Sequence, residues 1–200
     1  MYSNYIRLIF LFFSSLYSNV YASVNLVPVF EPYANVNSKF KSDIEKKIKK
    51  KGLEPIFFSK YNDFKAYVES RKTEFYVSIF KFNKSDIEQK KIGRLYRKQY
   101  MVLSNKEIKE IKNKRVGIVQ VADREKLESQ IEKKFKLSFS LMKTVPKSED
   151  LVPLIVFNIV DVILVDKEIV SFLKKRYSYK MFSKDYKFKH LDLFLYKVKK

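Results

Sequence analysis

"NIVDVILVD", residues 158–166, is an apolar run with an asparagine and an aspartate in its first half and a second aspartate at its end. A strand covered on both faces reads as a near-continuous apolar run, and open α/β sheets present side chains to ligands at the carboxyl ends of their strands. The stretch therefore reads as a central strand of an α/β sheet, with Asp161 at the turn into it and Asp166 at its ligand-facing end. An odd spacing along a strand puts the two carboxylates on opposite faces, so they do not form one acid–base pair.

Strand-like and helix-like segments alternate on either side of this run. Upstream, "SEDLVPLIVF" (148–157) opens with an acidic first turn suited to a helix N-terminus. "LSFSLMKTV" (137–145) and "RVGIVQV" (115–121) read as strands, and between them Asp123 can cap a helix that buries Leu127, Ile131 and Phe135. "KEIKEIKNK" (106–114) reads as a short charged helix, and "IGRLYRKQYMVLSN" (92–105) as a long extended segment broken near Arg97 to Gln99. The first eighty residues spell β-α-β-α-β: strands at 24–30, 53–59 and 75–80, a helix with Phe40, Ile44 and Ile48 four apart that stops at Gly52, and a helix capped by Asn62. Downstream, "KEIVSFLKKRY" (167–177) is a last amphipathic helix and "LDLFLYKV" (191–198) a last strand. The order specifies an α/β chain with two consecutive, mostly parallel layers.

The N-terminus stands apart from this pattern. Arg7 is the only charge before the apolar "LIFLFF", and Val20 and Ala22 fit the small-residue places of a cleavage site, so residues 1–22 read as a secretory signal cut after Ala22 and the destination as the periplasm. The alternative is an uncleaved anchor, for which the apolar core is short against the roughly 20 residues needed to span a bilayer. The run "LVPLIVFNIVDVILV" (151–165) is also too short to span, and is interrupted by Pro153, Asn158 and Asp161.

The chain has no cysteine, hence neither disulfides nor thiol ligands, and a formal charge of +20. Such a surface attracts polyanions, although lysine spread evenly along the chain also reads as a default solvated residue. Nucleic acid does not fit an exported protein. Three glycines leave no phosphate-binding loop, and the single histidine, His190, would have to serve any Ser-His-Asp system from a lysine-rich tail, where it reads as an exposed or strand-edge residue. The sequence therefore points away from an enzyme and implies neither metal nor cofactor.

The order of elements resembles the class II periplasmic solute-binding proteins, the ligand-capturing components of ABC transporters. "LVPVFEPYANV" (26–36) is similar to that family's first strand and ligand-facing loop, "YNDFKAYVESRKTEFYVSIF" (61–80) to a helix and strand running to the cleft, and "RLYRKQYMVLSN" (94–105) to the segment crossing between lobes. "IKEIKNKRVGIVQVADREKLESQI" (108–131) and "SEDLVPLIVFNIVDVILVDKEIV" (148–170) resemble its second-lobe stretches, so the likeness covers nearly all of residues 24–198. It departs from the pattern in "KFNKSDIEQKKIG" (81–93), which lacks the arginine that clamps a ligand carboxylate and offers Lys84 nearby, and in glycines replaced at Asn158 and around Lys114. The expectation is a shortened, diverged member.

The resemblance implies a first lobe of residues 23–100 plus 180–200 and a second of 101–179, closing on a small polar solute, anionic or zwitterionic. It places Glu31, Tyr33, Ser78 and Lys81 on the first lobe, Tyr96 and Arg97 at the crossover, and Gln120, Asp123 and Asp166 on the second lobe as ligand-binding residues. In the amino-acid binders, the carboxylate in the place of Asp166 holds the ligand's ammonium; in this chain Asp166 can equally cap the helix that follows it. The implied partners are a small-molecule solute and an inner-membrane permease, with the binding protein itself a monomer. The competing expectation is a sensor-like or binding-dead descendant whose cationic surface meets envelope polyanions or a membrane-bound partner.

Overall fold

The structure, a computed structural model, describes residues 25–32, 38–70, 73–82, 88–107, 110–135, 138–177, 182–184 and 190–199. The expected export signal (residues 1–22), Tyr33 and Lys84 lie outside these residues. Two five-stranded sheets form. The first has the order β2-β1-β3-β10-β4, built from β1 (Leu26–Phe30), β2 (Glu54–Phe58), β3 (Phe75–Ser78), β4 (Glu88–Lys98) and β10 (Leu191–Lys199). The second has the order β7-β6-β8-β5-β9, built from β5 (Tyr100–Ser104), β6 (Lys114–Val119), β7 (Phe139–Val145), β8 (Val162–Asp166) and β9 (Phe182–Lys184). In each sheet three parallel strands are extended through two antiparallel pairings, β3-β10-β4 in the first and β8-β5-β9 in the second, so that only β10 and β5 run against their neighbours. The chain leaves the first sheet for the second at Gln99, inside the expected break, and returns with β10. Strand β9 pairs with β5, so the return comes after residue 184 and not at 180.

Helices α1 (Ser38–Lys49) and α2 (Tyr61–Ser70) cover the first sheet; α3 (Arg124–Phe135), α4 (Leu151–Val156) and α5 (Val170–Tyr177) belong to the second. Phe40, Ile44 and Ile48 of α1 are at most 1% exposed, as their four-residue spacing requires, and the helix gives way to Gly52 at φ 70°. Leu127 and Ile131 of α3 are fully buried. All five residues of β8 are buried, consistent with a strand covered on both faces. The run 151–165 is divided into α4, a turn at Asn158 and β8, and among the described residues no helix is long and apolar enough to cross a membrane.

Three local expectations change. The described residues between 106 and 114 are bent and turned, not helical, with Ile111 buried as an anchor and Asn113 at φ 56°. Nine residues, six of them charged, gain too little from propensity to offset helix nucleation, so the buried isoleucine decides the path. Helix α2 starts at Tyr61, one residue ahead of the expected cap Asn62, with Phe64 N–H bonding to the Lys60 carbonyl. Strand β3 stops at Ser78, two residues early. The replaced glycines have a backbone explanation: Asn113 and Asn158 occupy the left-handed region at φ 56° and 55°, which asparagine tolerates better than other side-chain-bearing residues.

One cluster of buried hydrophobic residues runs through both lobes, from Val27, Phe40 and Phe64 by way of Tyr61, Tyr100 and Val121 to Ile118 and Leu164. A second cluster, including Met101, Leu103, Leu151, Ile163 and Leu173, lies between the second sheet and α4 and α5. The lobes thus share a core along this path.

Candidate functional site at the lobe interface

At the carboxyl ends of the parallel strands the interface turns from apolar to charged. Glu31 follows β1 of the first lobe, Asp166 ends β8 of the second, and Lys98 ends β4 at the crossover. All three side chains are buried: Lys98 is 2% exposed, Glu31 1% and Asp166 5%. The Lys98 ammonium contacts Glu31 Oε2 and lies 3.0 Å from Asp166 Oδ2. The Phe40 ring adds its π-face 4.4 Å from Nζ. Burial pulls the Lys98 ammonium toward neutrality, but the two carboxylates outweigh it and hold its pKa above the ordinary lysine value. An ammonium has three donors and no acceptor, and here it is shared between a carboxylate from each lobe.

Asp166 caps the turn that follows it and also pairs with Lys98. Its Oδ1 accepts the Glu168 N–H at 3.0 Å, capping the turn Lys167–Ile169, while Oδ2 faces Lys98. Asp161 lies at the other end of β8, where it accepts the Arg115 N–H at 2.8 Å and a guanidinium N–H at 2.8 Å. Those hydrogen bonds hold its pKa below the usual carboxylate range. Asp161 is thereby a clamp between β6 and β8, beside a surface cavity of about 360 Å³ that Lys106, Lys114 and Asn158 also line.

The remaining expected site residues divide. Tyr96 reaches across the interface, its hydroxyl donating to Glu168 at 2.5 Å; burial raises its pKa and this bond adds to the effect. Asp123 lies at the interface too, but its carboxylate takes Lys65 of α2 at 2.8 Å, so it links the lobes rather than leaving the N-terminus of α3 open to an anion. Lys81 is exposed and contributes its carbonyl, which accepts from Lys126 of α3. Ser78 is buried at the end of β3. Gln120 uses its backbone N–H on the Val145 carbonyl at 2.8 Å, holding β6 to β7. Arg97 turns away from the interface to Asp192, at 3.1 Å. His190 is half-buried ahead of β10, with Nδ1 shut off from solvent and without a hydrogen-bond partner. Among the described residues no three His, Asp or Glu side chains converge as metal ligands.

The residue that sequence reasoning missed is Lys98. The segment "RLYRKQYMVLSN" was informative as a crossover, yet its lysine is one of 42 Lys and Arg residues and carries no mark of burial.

Two α/β lobes joined by a crossover strand and meeting at the carboxyl ends of their strands constitute the class II periplasmic-binding-protein-like fold. Comparison with solved structures agrees. The periplasmic sensor of a Borrelia burgdorferi hybrid histidine kinase matches with TM-score 0.56 at 14% identity, over 87% of this chain and 88% of that one. A periplasmic VFT domain of Bordetella pertussis BvgS matches with TM-score 0.57 at 12% identity, over 88% and 82%. The arginine-, lysine- and histidine-binding protein ArtJ of Geobacillus stearothermophilus matches with TM-score 0.58 at 15% identity, over 87% and 81%. No family model and no curated protein matches the sequence significantly.

Proposed function

We propose that this is an exported two-lobed module that acts as a sensor-like, partner-engaging domain of the envelope and does not carry cargo for a permease. The observation behind this reading is the interface itself. Side chains of one lobe bind directly to the other along its length: Lys65 to Asp123 at 2.8 Å, Tyr96 to Glu168 at 2.5 Å, Lys98 to Asp166 at 3.0 Å, and Lys126 to the Lys81 carbonyl. A cargo carrier needs polar groups on both lobes left for the solute, so that closure is driven by the solute's differential affinity for the closed state. Here the facing groups satisfy one another. Likeness to two periplasmic sensor or VFT domains is in keeping with this role. A strongly cationic surface, +20 in formal charge, suits a polyanionic or membrane-bound partner.

The second reading is solute capture for an ABC transporter, with Glu31, Asp166 and Tyr96 as ligand contacts; the burial of two carboxylates at the interface and the likeness to ArtJ favour it. A thermal-shift screen of amino acids, organic acids and phosphorylated solutes separates the two. A transport protein at 100 times the dissociation constant of its solute gains about 2.7 kcal/mol. The sensor-like reading expects no such gain from any free solute, together with a salt-sensitive response to heparin. A large gain with one solute overturns it.

A further inference from the structure

We infer that Lys98 is a tethered ligand: its ammonium occupies, between Glu31 and Asp166, a seat built for a primary alkylammonium, and the chain thereby closes its own lobes. The inference rests on the sensor-like reading above and adds the chemical identity of what fills the interface.

The arrangement around Nζ has the parts that recognise a primary ammonium. Carboxylate oxygens approach from two sides, one on each lobe, and the Phe40 ring supplies a π-face at 4.4 Å. The three charged side chains are at most 5% exposed, so bulk solvent contributes little to solvating them. Their formal charges sum to −1: two carboxylates for one ammonium. The lysine comes from the last residue of β4, at the point where the chain passes from lobe to lobe, so the ammonium is delivered from the crossover on a four-carbon stem.

A buried ion cluster is poor at raw stabilisation, because well-packed apolar residues of similar volume do as well or better. What it provides is a state that depends on charge and on an ammonium being present. An apolar interface of the same shape would hold the lobes together regardless of either. The competing physical account is a static internal salt bridge that selects nothing.

Truncation with chemical rescue distinguishes them. In Lys98→Ala, the atoms removed correspond to n-propylammonium. The full chain without its N-terminal 22 residues is purified and its melting midpoint followed against n-propylammonium chloride, with tetramethylammonium chloride and 1-propanol as controls at equal concentration. The expected result is a saturable rise of at least about 2 °C in the variant with propylammonium alone, and none in the wild type. Equal responses to propylammonium and tetramethylammonium, or a rise of the same size in the wild type, would overturn the inference. Should Lys98→Ala not fold, Lys98→Met is compared with wild type by small-angle X-ray scattering. A larger radius of gyration supports the tethered ligand, and unchanged dimensions refute it. The outcome is separable from that of the solute screen: wild type binding a free solute defeats the sensor-like reading, whereas failure of rescue in the variant defeats the tethered ligand alone.

Discussion

Replacing Lys98 with methionine keeps the length and most of the volume of the side chain and removes only the charge, so its effect can be worked from the interface geometry. In the native chain the ammonium neutralises one of two buried carboxylates and lies 3.0 Å from Asp166. Without it, Glu31 and Asp166 face one another across a site shut off from water. Breaking a buried pair by removing one partner costs about 3–5 kcal/mol. For a chain of this size each kcal/mol moves the melting midpoint by about 2–4 °C, so Lys98→Met should melt roughly 6–20 °C below wild type at pH 7. The loss is also pH-dependent. Two carboxylates left together cannot both ionise readily, so one has its folded-state pKa raised, and the penalty shrinks as acid protonates it. The deficit of Lys98→Met should therefore narrow between pH 7 and pH 5. Wild type behaves differently at the alkaline end. Its Lys98 pKa is raised in the folded state, so the triad's contribution is complete below the ordinary lysine pKa and is lost only as pH rises through the higher folded value. A triple variant, Glu31→Gln, Lys98→Met and Asp166→Asn, carries no buried charge and should regain most of the lost stability. Differential scanning calorimetry at pH 5 and pH 7 provides the measurement. A Lys98→Met variant melting within about 2 °C of wild type at pH 7 would refute the claim that the triad is desolvated.

The rim of the interface should matter far less than its centre. Lys65 and Asp123 are about one-third exposed, so Lys65→Met is expected to cost only about 0.2–1 kcal/mol in urea unfolding, and less at high salt. In the second lobe, a Cβ on Gly117 would lie 3.0 Å from Ile163 Cγ2 and 3.2 Å from Leu154 Cδ1. Gly117→Ala should thus destabilise by about 1–3 kcal/mol, measured the same way. At Asn158, with φ 55°, alanine should cost about 1–2 kcal/mol and glycine less, in spite of losing the 3.1 Å hydrogen bond to Asn105. Equal losses for the two substitutions would show that the side-chain bond, and not the backbone conformation, sets the requirement.

Much of the architecture was legible because it rests on local periodicity. The four-residue spacing of Phe40, Ile44 and Ile48 specified α1, and the apolar run 162–165 between two aspartates specified a buried strand with one carboxylate at its start and one at its carboxyl end. The segment 106–114 reads as a helix because a charged, regularly spaced stretch looks helical until a tertiary contact, here the burial of Ile111, takes over. Arg97 lies at the crossover and Asp123 just ahead of α3, yet their partners, Asp192 and Lys65, lie 95 and 58 residues away. Pairing at such separations leaves no local mark.

Lys98 was hidden by the geometry of its own strand. The buried positions near the end of β4 are Leu95 and Lys98, three apart, which breaks the two-residue alternation by which a strand face is read from sequence. The break has a cause in the pairing with β10, where the register shifts between Leu193, opposite Tyr96, and Phe194, opposite Arg94, so that Leu95 is skipped. Irregularities of that kind twist a strand and re-aim its side chains. Regular alternation inward from Leu95 would have kept Arg97 on the buried face and put Lys98 in solvent; instead Arg97 pairs with Asp192 on the exposed side and Lys98 points into the interface. The charge that joins the two lobes therefore depends on a backbone irregularity in one strand pair, which explains how a chain with lysine nearly everywhere on its surface comes to have one buried among carboxylates.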